Sequence, residues 1–202
     1  MKIALIGASG RVGSRILAEL SNRGHEVTAI ARDPAKITSL PGVTAIAGDI
    51  EATDALAELV KGHELVISSV LFSASDTSKL IAAVKASGVH RYYIVGGSGG
   101  LEVAAGKLLM DTPEFPESYK VEAQAGVDFL NKLKAEDGLD WTFLAPSAVF
   151  EPGERTGTFR LGKDQLLANE NGSSISFEDF AVALVDEIET PAHVRQRFTV
   201  GY

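Results

Sequence analysis

Three glycines at three-residue spacing, Gly7, Gly10 and Gly13, follow the apolar run Ile3-Ala4-Leu5-Ile6 and precede Ser14 to Leu20, which reads as a helix. A strand, a tight glycine turn and a helix N-terminus together make a phosphate site. First-turn N–H groups lack intrahelical partners, and the helix dipole adds about half a positive charge there. Within Gly7-Ala8-Ser9-Gly10-Arg11-Val12-Gly13, Gly7 allows the turn and Gly10 lets the backbone approach a pyrophosphate. Gly13 lets the helix pack close to a sheet. The spacing G-x-x-G-x-x-G is one residue wider than the dinucleotide fingerprint G-x-G-x-x-G. Its place directly after an apolar strand favours nucleotide binding over chance glycines in an ordinary turn.

The second strand, Glu26–Ala31, ends in Arg32. An acidic residue there accepts from the ribose hydroxyls of NAD, and a basic one pairs with the 2′-phosphate of NADP. Arginine presents a planar fork of donors that matches phosphate, so NADP(H) is favoured over NAD(H). Asp33 competes for the position, but a cap before Pro34 accounts for it. Asp49 and Ile50, closing Ala47-Gly48-Asp49-Ile50, are read as cofactor contacts; the adenine amino group can donate to the Asp49 carboxylate, or Asp49 simply starts a helix. Ser68, Ser69 and Val70 end the fourth strand, where small residues leave room for the nicotinamide half or for a close chain crossing.

These residues need a scaffold of alternating strands and helices. The pattern predicts strands at 2–6, 26–31, 43–47, 64–70, 91–95, 141–145 and 196–200. It predicts helices at 11–23, 53–60 with Thr53 as cap, 79–87 stopped by Gly88, 117–134 and 177–189. In the 117–134 helix, Val121, Ala125, Phe129 and Leu133 share one face. The fragments TFRL and QLLAN suggest a hairpin. Such alternation means parallel β-α-β units and an α/β, doubly wound sheet with helices on both faces and a small C-terminal substrate lobe. The 202 residues form one domain, 1–202, with 101–117 and 146–176 as substrate-side excursions.

Composition narrows the function classes. There is no cysteine, which excludes disulfides, thiolate metal sites and a Cys nucleophile. His25, His63, His90 and His193 lack metal-ligand spacing and read as surface or loop histidines, so no metal is expected. The net charge of −8, with no Lys/Arg cluster, speaks against a nucleic-acid partner. No apolar run reaches membrane-spanning length, and the four-residue stretch before Gly7 is too short for a signal peptide. A cytoplasmic location is expected, and a homodimer is allowed.

With GASGRVG at 7–13, AIARDP at 29–34, AGDI at 47–50, VGGSG at 95–99, DTPEFPESYK at 111–120, WTFLAPSAVFEPGERTG at 141–157 and VRQRFTVGY at 194–202, the chain resembles the atypical short-chain dehydrogenase/reductases. More narrowly it is similar to the NAD(P)H-flavin reductase family, relatives of biliverdin-reductase-B and NmrA-like proteins. The resemblance runs nearly end to end. It implies a Rossmann fold and reduction of a flat, conjugated acceptor by NAD(P)H. It also implies cofactor contacts at Gly96, after strand five, and at Pro146, near the carboxamide.

The superfamily's Tyr-x-x-x-Lys pair is missing: Tyr119 is followed four residues later by Ala123, and Lys120 is adjacent to it, about 100° away around a helix. Tyr119 stays a candidate catalytic residue, as does Ser98, which is either the hydroxyl that polarises a carbonyl or a turn residue among glycines. A carbonyl reduced to an alcohol needs a proton delivered to oxygen. A flavin takes hydride at N5 and can be protonated later by water. The missing pair therefore favours a flavin or quinone, as substrate rather than prosthetic group, over alcohol dehydrogenation. It equally favours binding without chemistry, as in an NmrA-like redox sensor, and counts against a sugar-nucleotide epimerase or dehydratase. Phe72, Phe150 and Phe159 either stack on the planar acceptor or form core beneath a lid, and Arg155 either meets an anionic substrate or lies in a surface loop.

Overall fold

The apolar runs become the central strands. The computed structural model describes all residues, Met1–Tyr202. In chain order its elements are β1 (Lys2–Ile6), α1 (Gly13–Asn22), β2 (Glu26–Ala31), β3 (Val43–Ala47), α2 (Thr53–Val60), β4 (Leu65–Ser68), α3 (Thr77–Ser87), β5 (Arg91–Val95), β6 (Glu102–Ala104) and β7 (Lys107–Leu108). There follow α4 (Lys120–Lys134), β8 (Asp140–Pro146), β9 (Val149–Glu151), β10 (Arg160–Gly162), β11 (Ser174–Ser176), α5 (Phe177–Glu189) and β12 (Gln196–Gly201).

Eight strands form one sheet in the order β10-β12-β8-β5-β4-β1-β2-β3. Every pairing in it is parallel except β10 with β12. The chain steps outward from β1 to β3, then returns to the other flank of β1 with β4. Open α/β sheets bind ligands beyond the strand carboxyl ends at such a reversal, and the Gly7–Gly13 turn leaves β1 at that place. This is the Rossmann-type doubly wound α/β sheet expected from the sequence.

Strand alternation sorts the apolar side chains into two cores. Ile3 and Leu5 of β1 join Ile16, Leu17 and Leu20 of α1 and Phe180 and Leu184 of α5 on one face. Ala4 and Ile6 join Leu56 of α2, Leu80 and Val84 of α3, and Phe129 and Leu133 of α4 on the other. Helix boundaries follow local chemistry. The Asp76 carboxylate accepts from the Ser78 N–H at 2.9 Å and starts α3 two residues earlier than the sequence suggests. Gly88, at φ +79°, ends it. Asp33 accepts from the Ala35 N–H at 3.1 Å and opens the single 3-10 turn Pro34–Lys36.

Several expectations are corrected. α1 starts at Gly13, not Arg11, because the residues before it are spent on the turn. Thr53 is the first residue of α2 rather than its cap; Asp49 instead accepts from the Glu51 N–H at 3.0 Å. The expected 117–134 helix is a 3-10 turn at Glu117–Tyr119 followed by α4. Val121 does not share the buried stripe of Phe129 and Leu133: it is 72% exposed. TFRL and QLLAN form no hairpin with each other. Arg160–Gly162 pairs antiparallel with β12 instead, extending the main sheet. No helix is long and apolar enough to cross a membrane.

Candidate functional site

The turn after β1 is built from backbone packed on backbone. Gly7 has φ +84°, and a Cβ there would overlap the Ser69 carbonyl at the end of β4. A Cβ on Gly13 would overlap the Gly7 carbonyl, so α1 starts directly against the turn. Gly10 differs: its Cβ would meet only the Gly7 oxygen at 3.2 Å and the Ser69 oxygen at 4.0 Å, and its outer side is open. The Gly7 and Ala8 N–H groups both donate to the Ile30 carbonyl, pinning the turn to β2, and the Gly10 N–H donates to Gly7.

The N–H groups of Ser9, Arg11, Val12 and Gly13 donate to no group in the protein. Val12 caps α1 without a side-chain hydrogen bond, and the first turn carries no acidic residue. The positive helix end is thus left uncompensated, with four donors around an exposed glycine. This donor set suits an anion such as a pyrophosphate. Ala8 is buried beneath it. Arg15 is tied to Glu178 at 3.1 Å. The Arg11 guanidinium lies 5.1 Å from the centroid of the Phe177 ring and forms no ion pair.

Arg32, at the end of β2, is exposed and engages no partner, while one oxygen of the Asp33 carboxylate accepts within its own turn and the other lies 3.8 Å from Lys36. Beyond β3, Asp49 keeps one oxygen free and Ile50 is half-buried against the α2–α4 core. On the other side of β1, Ser69 and Val70 are half-exposed at the end of β4. Ser68 is not available to a ligand: it is buried and its hydroxyl bonds to the Tyr92 phenol at 2.9 Å. Burial pushes the Tyr92 phenol well up, against the opposing pull of that bond. Pro146 is likewise buried, in strand register with Val200, so its ring faces no open cleft. Gly96 is half-exposed, and its missing side chain serves packing, since a Cβ would overlap Phe143.

The structure brings Ser98 and the start of α4 close together. Ser98 is half-exposed, and it is the Ser98 backbone carbonyl that is engaged, accepting from the Leu101 N–H at 2.9 Å. Its neighbour Gly99 packs on Ala123. Tyr119 is 63% exposed without a hydrogen bond, and Lys120 pairs with Glu117 at 2.7 Å. Sequence reasoning missed Glu122. Its carboxylate accepts from the Phe72 N–H at 2.7 Å, the Ser73 N–H at 2.8 Å and the Ser73 hydroxyl, fastening the loop after β4 to α4. A glutamate in a helical first turn reads as a dipole partner, and nothing in the sequence links it to residues 72 and 73.

The aromatic candidates are core. Phe72 is buried against Phe129 and Phe143, Phe150 packs on Phe177 and Phe180, and Phe159 packs on the α1–α5 core. Arg155 is committed within the protein: its Nε and Nη2 donate to the buried Glu19 carboxylate at 2.8 Å. Arg155 first, then Arg23, keeps Glu19 below the ordinary carboxylate range against the opposing effect of burial. Two histidines are also not at the surface in the simple sense expected: His25 is buried on Glu189, and His193 stacks on Phe198 and bonds to Glu187.

A model of the NAD(P)H-binding family matches residues 7–191, from the glycine turn to the end of α5. The chain belongs to that family. The chain is similar to the Bacillus subtilis protein YwnB, 40% identical over 99% of this chain and 98% of that one. A solved structure from Bacteroides thetaiotaomicron, provisionally designated an epimerase, is 43% identical with a TM-score of 0.94 over 100% of this chain and 96% of that one. One from Streptococcus pneumoniae, provisionally designated an NADH-flavin reductase, is 34% identical with a TM-score of 0.83 over 100% of this chain and 99% of that one. The resemblance to atypical short-chain dehydrogenase/reductases, read from the motifs, holds.

Proposed function

We propose that this protein is an NADPH-dependent oxidoreductase that passes hydride to a planar acceptor such as a flavin or a quinone. The observation that carries the cofactor half is the cradle of four unpartnered amides at Ser9, Arg11, Val12 and Gly13 around an open Gly10. A pyrophosphate would take those donors at the uncapped end of α1. Arg32 and Arg11, neither in an ion pair, would meet a 2′-phosphate with their planar donor forks, while Asp33 holds its own turn through one carboxylate oxygen. Asp49 and Ile50 would flank the adenine. Ser69, Val70 and Gly96 would lie under the nicotinamide half.

Bound NADPH supplies a hydride, and with one further proton from water a flavin or quinone reaches its two-electron-reduced form, leaving NADP+. The chain's own work is to hold the two rings together and to keep water away from them. It needs no positioned acid, which accords with the unpartnered Tyr119 and the absence of a lysine at 123. The Streptococcus pneumoniae relative's designation names the same acceptor class, with NADH as the nucleotide.

Steady-state oxidation of NADPH with riboflavin, FMN and simple quinones tests the proposal. Turnover well above the uncatalysed background is expected with at least one acceptor. Tight nucleotide binding with no turnover on any of them would overturn the enzymatic reading and assign a redox-sensing binding module instead.

A further inference from the structure

We propose that the acceptor end of the site selects an uncharged planar ring system and discriminates against phosphorylated flavins. This rests on the acceptor reading given above and names its substrate class.

Two observations carry it. Leu71 is 66% exposed, Tyr119 63% and Val121 72%, three of the largest exposed apolar side chains in the molecule. One contact gathers them. Glu122 binds the N–H groups of Phe72 and Ser73, which sets the backbone beside Leu71 against the start of α4, where Val121 adjoins Glu122 and Tyr119 precedes it by three positions. The rim so formed lies at the carboxyl ends of β4 and β5, across β1 from Arg32. A cluster of exposed apolar side chains beside a cleft marks a binding surface for an apolar ligand.

The second observation is charge. Segment 101–122 carries five carboxylates and two lysines. Lys120 and Glu117 are paired with each other and Glu122 is bound to the Phe72 and Ser73 amides, which leaves Glu102, Asp111 and Glu114 against Lys107. Arg197, which reaches the Gly100 carbonyl beneath this wall, is held by Asp164 and is only 9% exposed. Arg155 is held by Glu19. The cleft is therefore basic at the cofactor-phosphate end, with Arg11 and Arg32, and acidic at the acceptor end. An acceptor phosphate would be repelled there, while a neutral isoalloxazine or quinone would meet only the apolar rim.

The test is equilibrium binding of riboflavin and of FMN to the protein saturated with NADP+, followed by flavin fluorescence at low and high ionic strength. Riboflavin is expected to bind roughly five- to twentyfold tighter at low salt, with the gap closing as screening sets in over about 10 Å. Replacing Glu114→Gln together with Glu117→Gln should tighten FMN and leave riboflavin unchanged. Leu71→Ser should weaken riboflavin about tenfold. FMN binding as tightly as riboflavin, a gap insensitive to salt, or no binding of riboflavin would overturn the proposal. Because binding is read rather than turnover, selective riboflavin binding together with no NADPH oxidation on any acceptor would refute the reductase activity and leave this selectivity standing.

Discussion

Gly99 and Ala123 are packed so closely that a Cβ on the glycine would lie 2.5 Å from that of the alanine. Ala123 stands four residues after Tyr119, where the superfamily pattern puts the lysine that lowers the tyrosine's pKa. The turn after β5 sits flush against that position instead. Phe72 fills the next turn of the same helix, with its ring 3.0 Å from where a Gly126 Cβ would be. The side of α4 that would present a Tyr/Lys pair is used for packing.

Tyr119 and Ser98 should therefore contribute shape rather than a proton. Tyr119→Phe and Ser98→Ala are expected to keep kcat within about threefold of wild type, whereas loss of a working general acid costs about 10²–10⁴-fold. Tyr119→Ala should raise the acceptor KM while leaving the NADPH KM alone. A hundredfold fall in kcat for Tyr119→Phe would show that the phenol delivers a proton.

Two glycines in one turn should fail in different ways. Gly7→Ala combines a positive φ with overlap on Ser69, and should cost about 3 kcal/mol or more, measured by urea unfolding. Gly10→Ala should stay within about 1 kcal/mol of wild type, because a Cβ would press only on the Gly7 carbonyl at 3.2 Å, with the Ser69 carbonyl at ordinary contact distance. It should nonetheless weaken NADPH by tenfold or more, since the methyl occupies the open side of the cradle. Full nucleotide affinity in Gly10→Ala would remove the pyrophosphate from this turn.

The Arg155–Glu19 pair fastens residues 152–158 to α1. Arg155→Ala should cost about 1 kcal/mol rather than the larger sum for an orphaned buried charge, because Arg23 still holds Glu19 at 2.8 Å. Glu19 has a lowered folded pKa, so its contribution is complete above the ordinary carboxylate value and is lost as pH falls through the lowered one. The stability gap between wild type and Arg155→Ala should accordingly be full at pH 7 and shrink below about pH 4. A gap that widened in acid would contradict this.

The order of strands and helices was legible because buried parallel strands read as short apolar runs, as in Ile3–Ile6 and Leu65–Ile67. The Asp33 cap and the Gly88 stop were legible because their chemistry is local. What was not legible depends on residues far apart in the chain. Arg155 and Glu19 are 136 positions apart, and Glu122 and Phe72 are 50 apart. Val121 obeys the helical period of its neighbours yet is exposed where Phe129 and Leu133 are buried. Pro146 and Ser68 fall at strand ends, where one residue decides between an open cleft and the core.

Glu122 is the residue whose role the fold alone reveals. Glu122→Ala should release the amides of Phe72 and Ser73, which would exchange hydrogen at least tenfold faster while those of β1 stay protected. The loss of charge-assisted bonds should lower stability by about 1.5–3 kcal/mol. Unchanged exchange at residues 72 and 73 would mean that the loop is held by Phe72 packing alone.

The central claim is that the Gly7–Gly13 turn and the arginines beside it hold NADPH through its phosphates. Calorimetric titration of wild type, Arg11→Ala and Arg32→Ala with NADPH and with NADH tests it most directly. Wild type should prefer NADPH. Arg32→Ala should lose about 1.5–3 kcal/mol for NADPH, roughly ten- to a hundredfold, with little change for NADH. Arg11→Ala should lose a similar amount. Equal losses for both nucleotides, or wild-type affinity for NADPH in both variants, would contradict the assignment.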